Sequence, residues 1–273
     1  MFYGSPPIVT NGLVAYYDPA NSLSARSGSS IVTEIGGINN MPLTMSALSA
    51  LGTTSASFSS QYGGVLQFNG TSSYALCSNT SSQFFTNMAD ANPKSLFAWI
   101  NLNSPLITND GTANLRIINI ANSSAGFYSV LSVTGFLSSA SDAFYFGGTP
   151  NFNTNRGFTG PDTGSSAGIG KITGFPCNKW CYIGITYDAV ITFQCYYNGI
   201  PYAHNSQVGS SDFTNSGLQG LVIGAKADAT VPQAFFNGQM GPIQIYNRSL
   251  TQAEVVQNFN AHKSRFNLTE NGS

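Results

Sequence analysis

Hydrolysis of a glycosidic bond needs two carboxyl groups facing each other across the sugar, about 5 Å apart in a retaining enzyme and further in an inverting one. The chain offers three glutamates for such work, Glu34, Glu254 and Glu270. Glu34 falls in a Ser- and Gly-rich stretch and Glu270 in the tail. Glu254 stands three residues after Thr251, where the two complete a helix capping box. Asp18 and Asp188 close apolar runs, positions where aspartate favours a turn. The two histidines, His204 and His262, have no Ser/Asp or Cys context that would activate a nucleophile. The sequence therefore predicts no catalytic residue and no enzyme.

Metal chemistry is equally thin. Calcium takes about six to eight oxygens, usually from several clustered carboxylates. The acids read as loop residues, Asp110, Asp142, Asp162, Asp212 and Asp228, are far apart in sequence. No cofactor is expected, with calcium the one alternative left open. Cys177 and Cys181 form a lone C-x3-C without nearby His, which is not a zinc pattern. Cys195 lies in an apolar strand, and all four cysteines, Cys77 included, read as reduced and packed.

Sugar binding asks for an aromatic platform beside amide and carboxylate hydrogen-bonding groups on loops. Two clusters have that composition. Phe152, Arg156, Phe158 and Asp162 lie among Asn, Gly and Thr; Tyr202, His204 and Phe213 form the second. A further candidate is the N-terminal arm, whose Phe2, Tyr3, Pro6 and Pro7 could dock on a neighbouring subunit. Against each stands a plainer reading: aromatics of a sandwich are mostly core, and a terminus frays.

The elements that would position these residues are strands. Among 273 residues there are 29 Gly and 12 Pro, and short apolar runs recur between turn-forming clusters. Strands are expected at 12–18, 65–68, a segment holding Tyr74 and Leu76, 95–102, 116–120, 126–133, 143–146, 180–187, 191–197, 200–202, 221–224 and 241–246. Asn198-Gly199 predicts a two-residue hairpin turn, and Pro201 puts the return strand at an edge or bulge. Residues 19–64 read as a long insertion, and 149–174 as a long loop or a pair of weak strands. Thr251 opens the one convincing helix, with Leu250 and Val255 as a hydrophobic staple and Val255, Val256, Phe259 and His262 at helical spacing.

The pattern predicts an all-β, two-sheet antiparallel sandwich with one short C-terminal helix: an arm over 1–11, the sandwich over 12–266 and a tail over 267–273. Charged residues are only 8% and net charge is −1. That leaves no basic patch for nucleic acid. It is also consistent either with a surface covered by partner subunits or with a neutral, hydroxyl- and amide-rich one. No run reaches the roughly 18 apolar residues of a membrane span, and the start lacks the basic and apolar regions of a signal peptide. Synthesis in a host cytoplasm is expected.

Several segments resemble laminin-G-like, concanavalin A-like jelly-roll domains. They are Gly12-Leu13-Val14-Ala15-Tyr16-Tyr17, Leu66-Gln67-Phe68-Asn69-Gly70, Phe97-Ala98-Trp99-Ile100, and Trp180 to Tyr187 with Tyr197-Asn198-Gly199. The run from Phe236 to Thr251, ending Ile245-Tyr246-Asn247-Arg248-Ser249-Leu250-Thr251, is similar to the last strand of that family as it enters its helix. The resemblance implies that Trp99 packs between the sheets. The stretch Glu254 to Phe266 is similar to the ends of such domains in virion proteins of tailed phages. This implies a virion-surface protein of capsid or tail, assembled with copies of itself and other virion proteins and adhering to a cell-surface glycan. A soluble glycan-binding lectin is the alternative, with a glycosidase behind it.

Overall fold

The computed structural model describes residues 6–36, 41–47, 55–77, 84, 88, 92–103, 112–122, 126–138, 141–149, 171–173, 177–188, 193–205, 220–225 and 235–269. In chain order the strands are β1 (Leu13–Tyr17), β2 (Ile31–Val32), β3 (Leu43–Ala47), β4 (Ser57–Ser59), β5 (Val65–Asn69), β6 (Ser73–Cys77), β7 (Lys94–Leu102) and β8 (Thr112–Asn122). They continue as β9 (Gly126–Ser138), β10 (Ser141–Thr149), β11 (Lys171–Thr173), β12 (Trp180–Tyr187), β13 (Phe193–Tyr197), β14 (Ile200–Asn205), β15 (Gly220–Ile223) and β16 (Asn237–Tyr246). A C-terminal helix, α1 (Gln252–His262), runs into a 3-10 turn, Lys263–Phe266. Among the described residues no helix is long and apolar enough to cross a membrane.

Two eight-stranded antiparallel sheets result. The first runs β14-β13-β12-β7-β16-β5-β4, with β1 also paired to β16; the second runs β11-β10-β9-β8-β15-β6-β3-β2. Strand alternation sorts the side chains. Leu96, Ala98, Ile100 and Leu102 of β7 and Cys181, Ile183 and Ile185 of β12 join Ile118, Ile120, Leu221 and Ile223 of the second sheet in one buried core. The intervening residues Phe97, Trp99, Trp180 and Tyr182 point to the outer face of the first sheet, where they are buried by Val255, Phe259 and Phe266.

Trp99 therefore does not pack between the sheets, as the resemblance implied. Its ring stacks on Phe259 at 5.5 Å and Phe266 at 4.5 Å, beneath the C-terminal helix. The smaller aliphatic chains of β7 fill the space between sheets, and the large aromatics meet the helix.

Residues 19–64 are not an insertion either. They supply β2 and β3 to the second sheet and β4 to the first, and Ala25, Val32, Met41 and Leu43 enter the core. β2 has only two residues, and β3 and β4 are short and interrupted by Ser and Thr, so they carry little apolar signal. Asp142, read as a loop acid, lies within β10 opposite Leu137. Within the 149–174 stretch, β11 pairs with β10; residues 150–170 lie outside those described.

Local chemistry held where it was strongest. Asn198 and Gly199 both have positive φ, 49° and 80°. Asn198 Oδ1 also accepts from the Tyr182 backbone N–H at 2.9 Å. β14 is an edge strand, and the register shifts opposite Pro201. The cysteines are free thiols; burial pushes Cys181 and Cys195 up, which keeps them protonated and inert.

The helix start is a complete capping box. Glu254 also holds Arg248 through two bonds, at 2.9 and 2.6 Å. The Arg248 guanidinium, then the Thr251 N–H and hydroxyl, pull the Glu254 carboxyl down to about 2. Because the folded value lies below the unfolded one, about 4.3, this stability is full above that pH and is lost as pH falls toward 2. Glu254→Gln is expected to cost about 1–2 kcal/mol at pH 7 and little at pH 2. Urea unfolding at both values checks it.

A second cluster fastens the helix end to β1. Arg265 Nη1 donates to Asp18 at 2.6 Å, and its other nitrogens reach the Tyr62 and Gly64 carbonyls. Asp18, read as a turn residue, does bind the Ala20 N–H at 3.0 Å, but it also anchors this junction. His262 lies 3.0 Å from the Tyr16 hydroxyl and 3.9 Å from Asp18. Burial pushes the His262 pKa down, against Asp18, which raises it. The neutral ring is the folded form, so its contribution is present above about pH 6.5 and is lost as pH falls below it. Unfolding midpoints of His262→Gln are expected to lose that acid-side slope between pH 7 and 5, while the parent keeps it.

Candidate functional site

The outer face of the first sheet is divided. One half is apolar and covered by α1 and by the chain's own N-terminal stretch. Val9 N–H donates to Asn258 Oδ1 at 2.8 Å, Tyr246 Oη donates to the Val9 carbonyl at 2.9 Å, and Gln257 Nε2 reaches the Pro7 carbonyl at 2.8 Å. The described part of the expected arm is thus seated on its own helix. Pro6 and Pro7 are exposed there; Phe2 and Tyr3 lie outside the described residues.

The other half is open and polar. Register places Ser57 opposite Gln67, Gln67 opposite Gln239, and Gln239 opposite Asn101. Their inward neighbours Phe58, Leu66, Met240 and Ile100 contact or join the core, so this row must face out. Ser57, Gln67 and Gln239 of this row line a cleft of about 430 Å³ together with Ser55, Gln61 and Asn103. Gln239 Nε2 donates to Gln61 Oε1 at 2.7 Å, and Asn103 Nδ2 to Asn237 Oδ1 at 3.3 Å. Asn69 forms one end; its Oδ1 accepts the Thr71, Ser72 and Ser73 N–H groups and stiffens the turn after β5.

Gly238 belongs to this cleft. At φ +149° it takes a conformation side chains rarely adopt, and a Cβ there would run into the Asn101 carbonyl oxygen. Asn101 Oδ1 is buried without a hydrogen-bond partner among the described residues, on the row between Gln239 and Trp180. At the seam between the two halves Tyr62, next in chain to Gln61 and 38% exposed, meets Trp180 edge-on at 5.3 Å.

Among the described residues no Asp, Glu, Lys or Arg lines the cleft. Hydroxyls and amides facing solvent beside an aromatic can exchange hydrogen bonds with a polar ligand. They cannot supply the acid, base or nucleophile of hydrolysis. Among the described residues there is no group of three or more His, Cys, Asp or Glu that could hold a metal.

The residues singled out from the sequence lie mostly outside those described. Phe152, Arg156, Phe158, Asp162 and Phe213 lie outside the described residues, as do Asp110, Asp212, Asp228 and Glu270. Tyr202 and His204 are placed only as backbone positions on edge strand β14. The amide row was missed. Its signal is an outward Gln in each of two apolar strands, Val-Leu-Gln-Phe-Asn and Asn-Gly-Gln-Met, but only their pairing brings these together.

A smaller cleft of about 300 Å³ lies between the Asn198–Gly199 turn and α1, with Ile200, Val256 and Lys263 on its walls. Gln252 Nε2 spans it to the Gly199 carbonyl at 2.7 Å. On the outer side of the second sheet Arg116 and Asn119 are buried. Burial alone pulls Arg116 down to about 10.

Comparison with known proteins agrees with this architecture. A sialidase of Trypanosoma rangeli, in a mutant form displaying trans-sialidase activity, superposes with a TM-score of 0.53 at 15% identity over 94% of this chain and 34% of that one. The receptor binding domain of botulinum neurotoxin C/D mosaic serotype gives 0.56 at 10% identity over 92% of this chain and 51% of that one. The chain thus spans about a third of the sialidase and half of the toxin chain, and at these identities the likeness is one of fold. No curated protein sequence matches the chain. A laminin G-type family model matches residues 69–256. With the two sheets, the Asn-Gly hairpin and the capped C-terminal helix in place, the chain belongs to the concanavalin A-like lectin/glucanases superfamily.

Proposed function

We propose that the chain is a non-enzymatic virion protein of a tailed phage, displayed on capsid or tail, whose sandwich recognises a glycan at the host surface. The observation that carries the recognition part is the amide-lined cleft on the outer face of the first sheet, which offers hydrogen bonds and, among the described residues, no carboxylate. The carboxylates whose bonds are described serve the fold. Asp18 holds Arg265, Glu34 accepts the Gly36 N–H at 2.7 Å, and Glu254 holds Arg248 and caps α1.

The virion setting rests on the resemblance of Glu254 to Phe266 to the ends of tailed-phage virion domains, and on a charged fraction of only 8%. The partners are then copies of this chain and other virion proteins, and repeated copies give avidity to weak contacts. Quantitative mass spectrometry of gradient-purified particles tests the setting. A fixed copy number per particle is expected. A monomer never found in particles would refute it and leave a soluble lectin.

A further inference from the structure

Resting on the recognition reading above, we infer that the amide-lined cleft selects uncharged saccharides and rejects those carrying a carboxylate. The ligand is a neutral glycan end group, not a sialic or uronic acid.

The open polar groups of the cleft set the chemistry of its ligand. Gln67 is exposed and makes no hydrogen bond with another described residue. Gln239 uses its Nε2 on Gln61 and leaves its Oε1 open; Gln61 uses its Oε1 and leaves its Nε2 open. Asn103 spends its Nδ2 and keeps its Oδ1. The Ser55 and Ser57 hydroxyls each donate and accept. The cleft so presents donors and acceptors side by side, which is what a sugar hydroxyl, itself both, requires. Gly238 has no side chain there, so the backbone can approach a ring.

The charge inventory makes the selection. A carboxylate loses far more solvation on leaving water than a hydroxyl does, and a cation offsets that loss better than neutral donors. Among the described residues no lysine or arginine lines the cleft. Arg265, which holds the Tyr62 carbonyl beside it, is already bound to Asp18 and Gly64. A carboxylated sugar would meet only neutral amide and hydroxyl donors in place of the water it gives up, with no cation to offset its charge, whereas a neutral one exchanges hydrogen bonds at near parity. With no charge in play, affinity should also be insensitive to salt.

The whole chain is applied to an array of neutral oligosaccharides ending in glucose, galactose, mannose or arabinose and their uronate or sialylated counterparts. Hits are titrated by calorimetry at roughly 50 and 500 mM salt. The paired substitution Gln67→Ala with Gln239→Ala, both at outward positions, is compared with Thr44→Ala, exposed on the other sheet, after thermal melts show all variants folded. The expected result is binding of neutral sugars only, unchanged by salt, weakened roughly tenfold or more by the paired substitution and not by Thr44→Ala. Binding of carboxylated sugars, weakened by salt, would overturn the selection while leaving glycan recognition intact. Neutral binding untouched by the paired substitution would overturn this cleft as the site. Silence on every sugar would overturn both the inference and the recognition reading, but not the virion setting, which particle analysis decides separately.

Discussion

Trp99→Ala is expected to remove about 3–5 kcal/mol of stability, a large part of the roughly 5–15 kcal/mol that holds a domain together. Trp99 is fully buried. It joins two layers, stacked on Phe259 and Phe266 on one side and tilted against Tyr182 at 5.3 Å on its own sheet. Truncation leaves a cavity that the helix cannot fill, because α1 is pinned at both ends, by Glu254 on Arg248 and by Arg265 on Asp18. The loss should therefore appear first as release of the C-terminal helix. Limited proteolysis is expected to cut near 252–266 before the sandwich unfolds, and urea unfolding to move to lower concentration. If Trp99 lay in the inter-sheet core instead, helix and sheets would fail together.

Gly238→Ala is the second large effect, expected at about 2–5 kcal/mol from backbone strain plus collision with a carbonyl. The residue sits where β16 is flanked by β5 and β7, at φ +149°, with the Asn101 carbonyl in the place a Cβ would take. Carbonyl and strand are both fixed by pairing, so neither can yield cheaply. Gly28→Ala is the matched control, because its φ is also positive, +79°, yet no atom lies within 4 Å of its Cβ position. It is expected to cost only about 1 kcal/mol. Thermal unfolding of the two variants separates conformational strain from collision. Equal losses would show that the close approach at Asn101 is not what holds Gly238.

Much of the frame was legible because its chemistry is local. The Asn198-Gly199 turn, the Thr251–Glu254 box and the Leu250–Val255 staple each depend on residues a few positions apart. Two sheets with a C-terminal helix followed from the number and spacing of apolar runs. What could not be read was whatever depends on pairing across the chain. β7 alternates correctly, but nothing local says that its aliphatic residues face the other sheet and its aromatics the helix. The 19–64 stretch hides β2 because it is two residues long, and β3 and β4 because Ser and Thr interrupt their short apolar pattern.

The cleft was illegible for the same reason. Gln67 and Gln239 become neighbours only through the β5–β16 register, and Ser57 only through β4. Composition pointed to the aromatic clusters around Phe152 and Tyr202, because it ranks segments by residue type and does not locate surfaces. Asp18 shows the same limit: its turn was visible, its bond to Arg265 was not.

Recognition without turnover makes a neutral oligosaccharide a ligand and not a substrate. The protein is held for a day with neutral oligosaccharides while saturation-transfer NMR reports binding and mass spectrometry of the same sample reports chain length. Saturable transfer to the sugar and an unchanged oligosaccharide are expected. Shorter products that accumulate in proportion to the protein would contradict recognition without turnover.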